Sequence, residues 1–190
     1  MPWPVYASLR YAGAGEEWVR RIKYPAPGLA GLDGDARGLL FALARDVAAG
    51  LPPADAIVPV PLHRSAYVRR EFNPALLWAR ALARATATPV CPRALTKLRP
   101  TRPQKGLGVA ARRANVADAF VAHPRSAASL QGSPLVLLVD DVVTTGATLE
   151  ACIRALRAGG LARPGIAVCL ARTPALRGCD GNDTRVAGSG

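Results

Sequence analysis

Metal-binding and aromatic residues are scarce in this chain. Its four cysteines, Cys91, Cys152, Cys169 and Cys179, form no C-x-x-C pair, and only two histidines, His63 and His123, accompany them. A structural zinc site needs four clustered ligands, so none is expected. A cysteine in a setting such as "GIAVCLA" reads as a small core residue. Aromatic residues make up 5% of the chain, and no segment forms an obvious base-stacking pocket. Tyr67 and Phe72 could stack on a base, but packing explains them equally well. No apolar run approaches the ~20 residues that span a bilayer. The opening "MPWPVYASLRYAG" lacks the basic start and long apolar stretch of a signal peptide. A cytoplasmic protein without a membrane segment is therefore expected.

Acidic residues are also in short supply: 13, against 25 Lys and Arg, for a net charge of +12. The excess is local. Between Pro61 and Arg113 lie 12 Lys or Arg and a single acid, Glu71, a balance of +11. A block with so few interleaved acids attracts phosphate, pyrophosphate or nucleic acid, although a solubilising face is the plainer alternative. Half the residues are apolar, and 190 residues suffice for one domain with a proper core.

The pattern alternates strands and helices. "PVYASLRYA", "DAIVPVPL", "RALTKLR", "SPLVLLVDD" and "GIAVCLART" read as strands. "GEEWVRRIKY", "DARGLLFALARDVAAG", "NPALLWARALARATA" and "TGATLEACIRALRAGG" read as helices, with a short one in "VAARRANVADAF". Asn73 is placed to cap its helix, with Pro74 in the first turn. "PTRPQKGLG" must be a loop. Such alternation predicts an α/β domain over 1–173, with a mostly parallel sheet covered by helices on both faces. Residues 174–190 are expected to be a disordered tail.

The run "LVLLVDDVVTTGATL", residues 135–149, carries the chemistry. A continuous apolar strand ends in Asp140 and Asp141. A helix begins near Gly146, with Thr144, Thr145, Ala147 and Thr148 around its start. The free N–H groups and positive dipole end of that helix suit a phosphate. The two carboxylates a few ångströms away suit a vicinal diol. A ribose 5-phosphate satisfies both halves. A Walker B strand would need a G-x-x-x-x-G-K-[ST] loop, and the chain has none. A phosphoacceptor aspartate would leave the threonine-rich helix start unexplained. "GLGVAA", residues 106–111, follows "RPTRPQK" rather than a strand, so its match to a dinucleotide pattern is chance.

The run Val136–Thr148, "VLLVDDVVTTGAT", resembles at every position the phosphoribosyl-pyrophosphate (PRPP) loop of type I phosphoribosyltransferases. The wider context resembles their ComF family, named for bacterial competence for DNA uptake. "VPVPLHRSAYVRREFNPALLWARALA" is similar to that family's P-V-P-L…R-G-F-N-Q segment. "LTKLRPTRPQKGLGVAARRANVADAF" is similar to a second segment through Arg99, Thr101, Gln104, Leu107, Arg112, Asn115 and Phe120. Two departures stand out. The four-cysteine zinc ribbon common at the start of family members is missing, and the family's Gly-Phe-Asn-Gln is here Glu71-Phe72-Asn73-Pro74.

The resemblance implies a type I phosphoribosyltransferase fold with a flexible lid loop. It implies a 5-phosphate site on Thr144, Thr145, Gly146, Ala147 and Thr148, and a ribose diol held by Asp140 and Asp141. Pyrophosphate would sit on Pro61, Leu62, His63 and Arg64, with Arg99, Arg102 and Lys105 on the closing lid and Arg99 closest to the chemistry. Mg²⁺ would arrive bound to substrate oxygens, near Asp140 and Asp141. Two functions follow as expectations. One is phosphoribosyl transfer from PRPP to an unidentified acceptor, linked to DNA uptake. The other is non-catalytic PRPP sensing or handling of single-stranded DNA, with Arg112 and Arg113 as nucleic-acid contacts and a competence-machinery protein as a possible partner.

Overall fold

The computed structural model describes residues 4–24, 34–101, 108–128, 130, 132–133, 135–161 and 164–173. The elements run β1 (Val5–Arg10), α1 (Ala14–Lys23), α2 (Gly34–Ala48), β2 (Ala56–Pro59), α3 (Arg64–Arg70), α4 (Pro74–Thr86) and β3 (Leu95–Lys97). They continue with α5 (Val109–Val116), β4 (Phe120–Ala122), α6 (Pro124–Ala128), β5 (Val136–Val143), α7 (Ala147–Ala158) and β6 (Pro164–Arg172).

Four strands form one parallel sheet in the order β1-β6-β5-β2. The remaining two, β3 and β4, stand apart as an antiparallel ribbon pairing Leu95 with Ala122 and Lys97 with Phe120. Successive side chains of a strand point to opposite faces, and here each face has its own core. Val136 and Leu138 of β5 join α7, Val116 and the ribbon's Leu95 and Phe120. Leu137 and Val139 join α1, α2 and α4 through Val19, Ile22, Leu40, Trp78 and Leu82. That explains the unbroken apolar run in β5: both faces are covered. Cys152 and Cys169 are small buried core residues, as expected.

Three local features position the site. Asn73 caps α4, accepting from Ala75 N at 3.0 Å while its Nδ2 donates to Val60 O at 3.0 Å, which ties α4 to the end of β2. Gly146, at φ +78°, makes the left-handed turn from β5 into α7. Gly15 lets the first turn of α1 press on the end of β1, where an added Cβ would collide with the Arg10 carbonyl.

One expectation needs correcting. The sequence places Asp140 and Asp141 where the strand emerges, but β5 continues to Val143, and Asp140 pairs with Cys169 inside the sheet. Pro61, Leu62 and His63 connect β2 to α3 outside regular structure, and His63 caps α3 by accepting from Ser65 N at 3.2 Å. Arg102, Gln104, Lys105, Leu107 and the tail from Pro174 lie outside the described residues.

Candidate active site

Beyond the carboxyl ends of β5 and β2 opens a cavity of about 470 Å³. One wall is the β5–α7 connection, with Asp140, Asp141, Thr144, Gly146, Ala147 and Thr148. Pro61 and Leu62, just after β2, form another. Ligands of open parallel sheets settle at this edge because loops and helix N-termini converge there.

The two aspartates differ sharply. Asp140 is 9% exposed and its Oδ1 accepts from Asp141 N at 2.8 Å. Burial, followed by the charge of Asp141, pushes its pKa up to about 8. Asp141 lies nearer the surface. Its Oδ1 accepts from Val142 N at 2.7 Å, and its Oδ2 meets Lys23 Nζ at 2.9 Å. Burial works against the Lys23 charge, but Asp141 and Asp140 outweigh it and hold the ammonium above its usual pKa.

Gly146, the N-cap of α7, has no side chain to cap the helix. Thr145 is outside the cavity wall, and its Oγ1 is buried with no hydrogen-bond partner. An unsatisfied hydroxyl beside a helix start whose N-cap is glycine fits an arriving anion. Two adjacent carboxylates supply the hard oxygen ligands Mg²⁺ accepts. Among the described residues no group of three or more acidic, His or Cys side chains converges, so the rest of the ion's shell would come from substrate and water oxygens.

The other expected site residues scatter. His63 and Arg64 stand outside the cavity wall, and Arg64 is exposed at the start of α3. Arg99 is also outside it, exposed, with Nη2 donating to Ala117 O at 2.6 Å. Arg112 lines the cavity, whereas Arg113 turns away to Glu150 at 3.4 Å. Tyr67 is half exposed on α3 and Phe72 lines a separate groove.

Sequence reasoning missed Tyr11, Glu16, Lys23, Lys97 and Thr173, all in the cavity wall. Lys97 Nζ donates to Thr101 Oγ1 at 2.8 Å and lies 5.4 Å from the Phe120 ring centroid. Burial holds its pKa below the usual lysine range. A signal for Lys97 existed, since it falls within the basic block. Lys23 carried none, because only folding brings α1 to β5.

Comparisons with known proteins agree with this fold. The phosphoribosyl transferase domain family matches residues 75–186. Competence protein F of Haemophilus influenzae is 37% identical over 109 residues, 56% of this chain and 46% of that protein. DNA utilization protein YhgH of Salmonella typhi is 36% identical over 124 residues, 65% of this chain and 52% of that protein. The glutamine PRPP amidotransferase structure from B. subtilis, complexed with ADP and GMP, superposes with a TM-score of 0.51 at 21% identity, over 80% of this chain and 30% of that one. The chain therefore belongs to the phosphoribosyl transferase domain family, with the type I fold, and within it to the ComF branch. It spans about half the length of the curated relatives it matches.

Proposed function

We propose that this chain binds PRPP with Mg²⁺ and transfers its phosphoribosyl group to an unidentified acceptor. The observation that carries the reading is the single cavity wall joining the two aspartates to the glycine-capped start of α7. The 5-phosphate would rest on Thr144–Thr148, and the ribose diol on Asp140 and Asp141. Bound to the substrate, Mg²⁺ would neutralise the pyrophosphate as it leaves. The C1–O bond breaks with its electron pair going to pyrophosphate. The acceptor then bonds to C1 and gives up a proton. Asp141 would stabilise positive charge on the ribose ring, and Lys97 and Arg112, which line the same cavity, would meet the departing anion. The test is pyrophosphate release from PRPP with a panel of bases and ribose acceptors. PRPP at ~100 times its dissociation constant should also stabilise the fold by about 2.7 kcal/mol. Absence of any PRPP-dependent thermal shift, with or without Mg²⁺, would refute the reading.

A second observation supports a DNA-handling role, in line with relatives named for competence and DNA utilization. A groove of about 280 Å³ between α2 and α4 is lined by Arg37, Arg80 and Arg84 together with Phe41 and Phe72. Arg84 stacks on Phe41 at 5.4 Å. Cations interleaved with aromatic rings suit single-stranded DNA, whose bases stack while its phosphates pair. This groove suits DNA better than Arg112 and Arg113, since one lines the PRPP cavity and the other is paired to Glu150. A competence-machinery protein remains part of the same proposal.

A further inference from the structure

The cavity has a cation that comes from outside the segment matched by the transferase family. Lys23 is the last residue of α1, whereas the family match begins at residue 75. Its ammonium reaches Asp141 Oδ2 at 2.9 Å, with the side chains only 21% and 18% exposed. This is not a loose surface contact.

The backbone that delivers it is held on both sides. Val19 and Ile22 of α1 are buried in the core, and Gly15 seats the first turn against the Arg10 carbonyl. The next residue, Tyr24, accepts a hydrogen bond from Arg70 Nη2 at 3.1 Å, with the guanidinium 5.2 Å from its ring centroid. Residue 23 therefore keeps its place while its side chain can swing. A lysine stem has four carbons, and its ammonium can move several ångströms without backbone change.

Asp141 already has both oxygens engaged, Oδ1 by Val142 N and Oδ2 by Lys23. A ribose diol arriving there brings its own hydroxyl donors. PRPP also carries, on the neighbouring carbon, a diphosphate with several negative charges. A mostly buried ammonium a few ångströms away gains more from that diphosphate than from one carboxylate. Arg70 lies close enough for its charge to be felt at Lys23, which makes this side of the cavity doubly cationic.

We propose that Lys23 is a diphosphate-binding residue, parked on Asp141 in the free protein and transferred to the diphosphate of bound PRPP. The inference rests on the PRPP reading above and adds α1 to the binding site. It makes Lys23 a selector for a ribose phosphate bearing a diphosphate at C1 over one without it.

The experiment is calorimetric titration of PRPP and of ribose 5-phosphate, each with Mg²⁺, into the wild-type chain, Lys23→Gln, Lys23→Met and Lys23→Arg. Gln keeps a neutral donor on a shorter stem, so it serves if Met impairs folding. The expected result is at least a tenfold loss of PRPP affinity in Lys23→Gln, less than threefold for ribose 5-phosphate, and near wild-type binding in Lys23→Arg. If Lys23→Gln weakens both ligands equally, or neither, Lys23 is only a structural counter-ion and the inference fails while the PRPP reading stands. If the wild-type chain binds neither ligand, the PRPP reading itself fails and the inference with it.

Discussion

Replacing Asp140 by Asn should stabilise the fold. In the folded chain burial raises this carboxyl to about 8, against 3.8 for the free group. At pH 7 the folded state holds a proton that the unfolded chain has released. That is about three pH units of mismatch at 1.36 kcal/mol each, a burden of roughly 4 kcal/mol on folding. Asn has the shape of the protonated acid and keeps an oxygen for the Asp141 N–H at 2.8 Å. It has no proton to take up, so Asp140→Asn should gain about 1–4 kcal/mol at pH 7, the lower figure allowing for relaxation and the buried amide. The folded pKa is the higher one, so the carboxyl's contribution is intact below about pH 4 and is lost as pH rises towards 8. The stability difference between variant and wild type should therefore widen over that window. Urea unfolding at pH 5 and pH 8 measures it. An unchanged difference, or a variant less stable at pH 8, would show that Asp140 is charged and well partnered in the fold. The neighbouring change should act oppositely: Asp141→Asn takes the charged partner from the mostly buried Lys23 ammonium and should cost about 1–3 kcal/mol.

Glu71 occupies the left-handed region at φ +62°, at the position where the ComF pattern has glycine. Glu71→Gly should stabilise by about 0.5–1 kcal/mol in the same unfolding assay. Lys97→Met should weaken PRPP about tenfold or more by calorimetry, since a charged hydrogen-bond donor facing the diphosphate is worth about 1.5–3 kcal/mol. Arg113→Ala should shift stability by less than about 1 kcal/mol, because the Arg113 side of its pair with Glu150 is largely solvent-exposed. Single-stranded DNA should bind with a log–log salt slope near −2, about 0.7 for each of three phosphate contacts. Arg80→Ala with Arg84→Ala should flatten that slope in fluorescence anisotropy and leave PRPP affinity unchanged.

What the sequence determined by itself was local. The 3.6-residue period of α2 and α4 and the unbroken apolar runs of β5 and β6 mark those elements, since burial on one face or on both follows from position along one element. Asn73 and Pro74 announce a cap through interactions within a few residues of each other. The run from Val136 to Thr148 places diol and phosphate groups together because it is one continuous strand–turn–helix. Only the tertiary structure decided what separate segments bring. It put β3 and β4 into their own ribbon, because register between strands depends on partners. It kept Asp140 inside the sheet by extending β5 beside β6, so burial rather than strand-end exposure governs its proton. It drew Arg112 into the cavity and set its neighbour Arg113 against Glu150, a division that a basic block cannot show. And it carried Lys23 across more than a hundred residues of chain to Asp141, because packing of α1 on the sheet, and not sequence spacing, sets which charges meet.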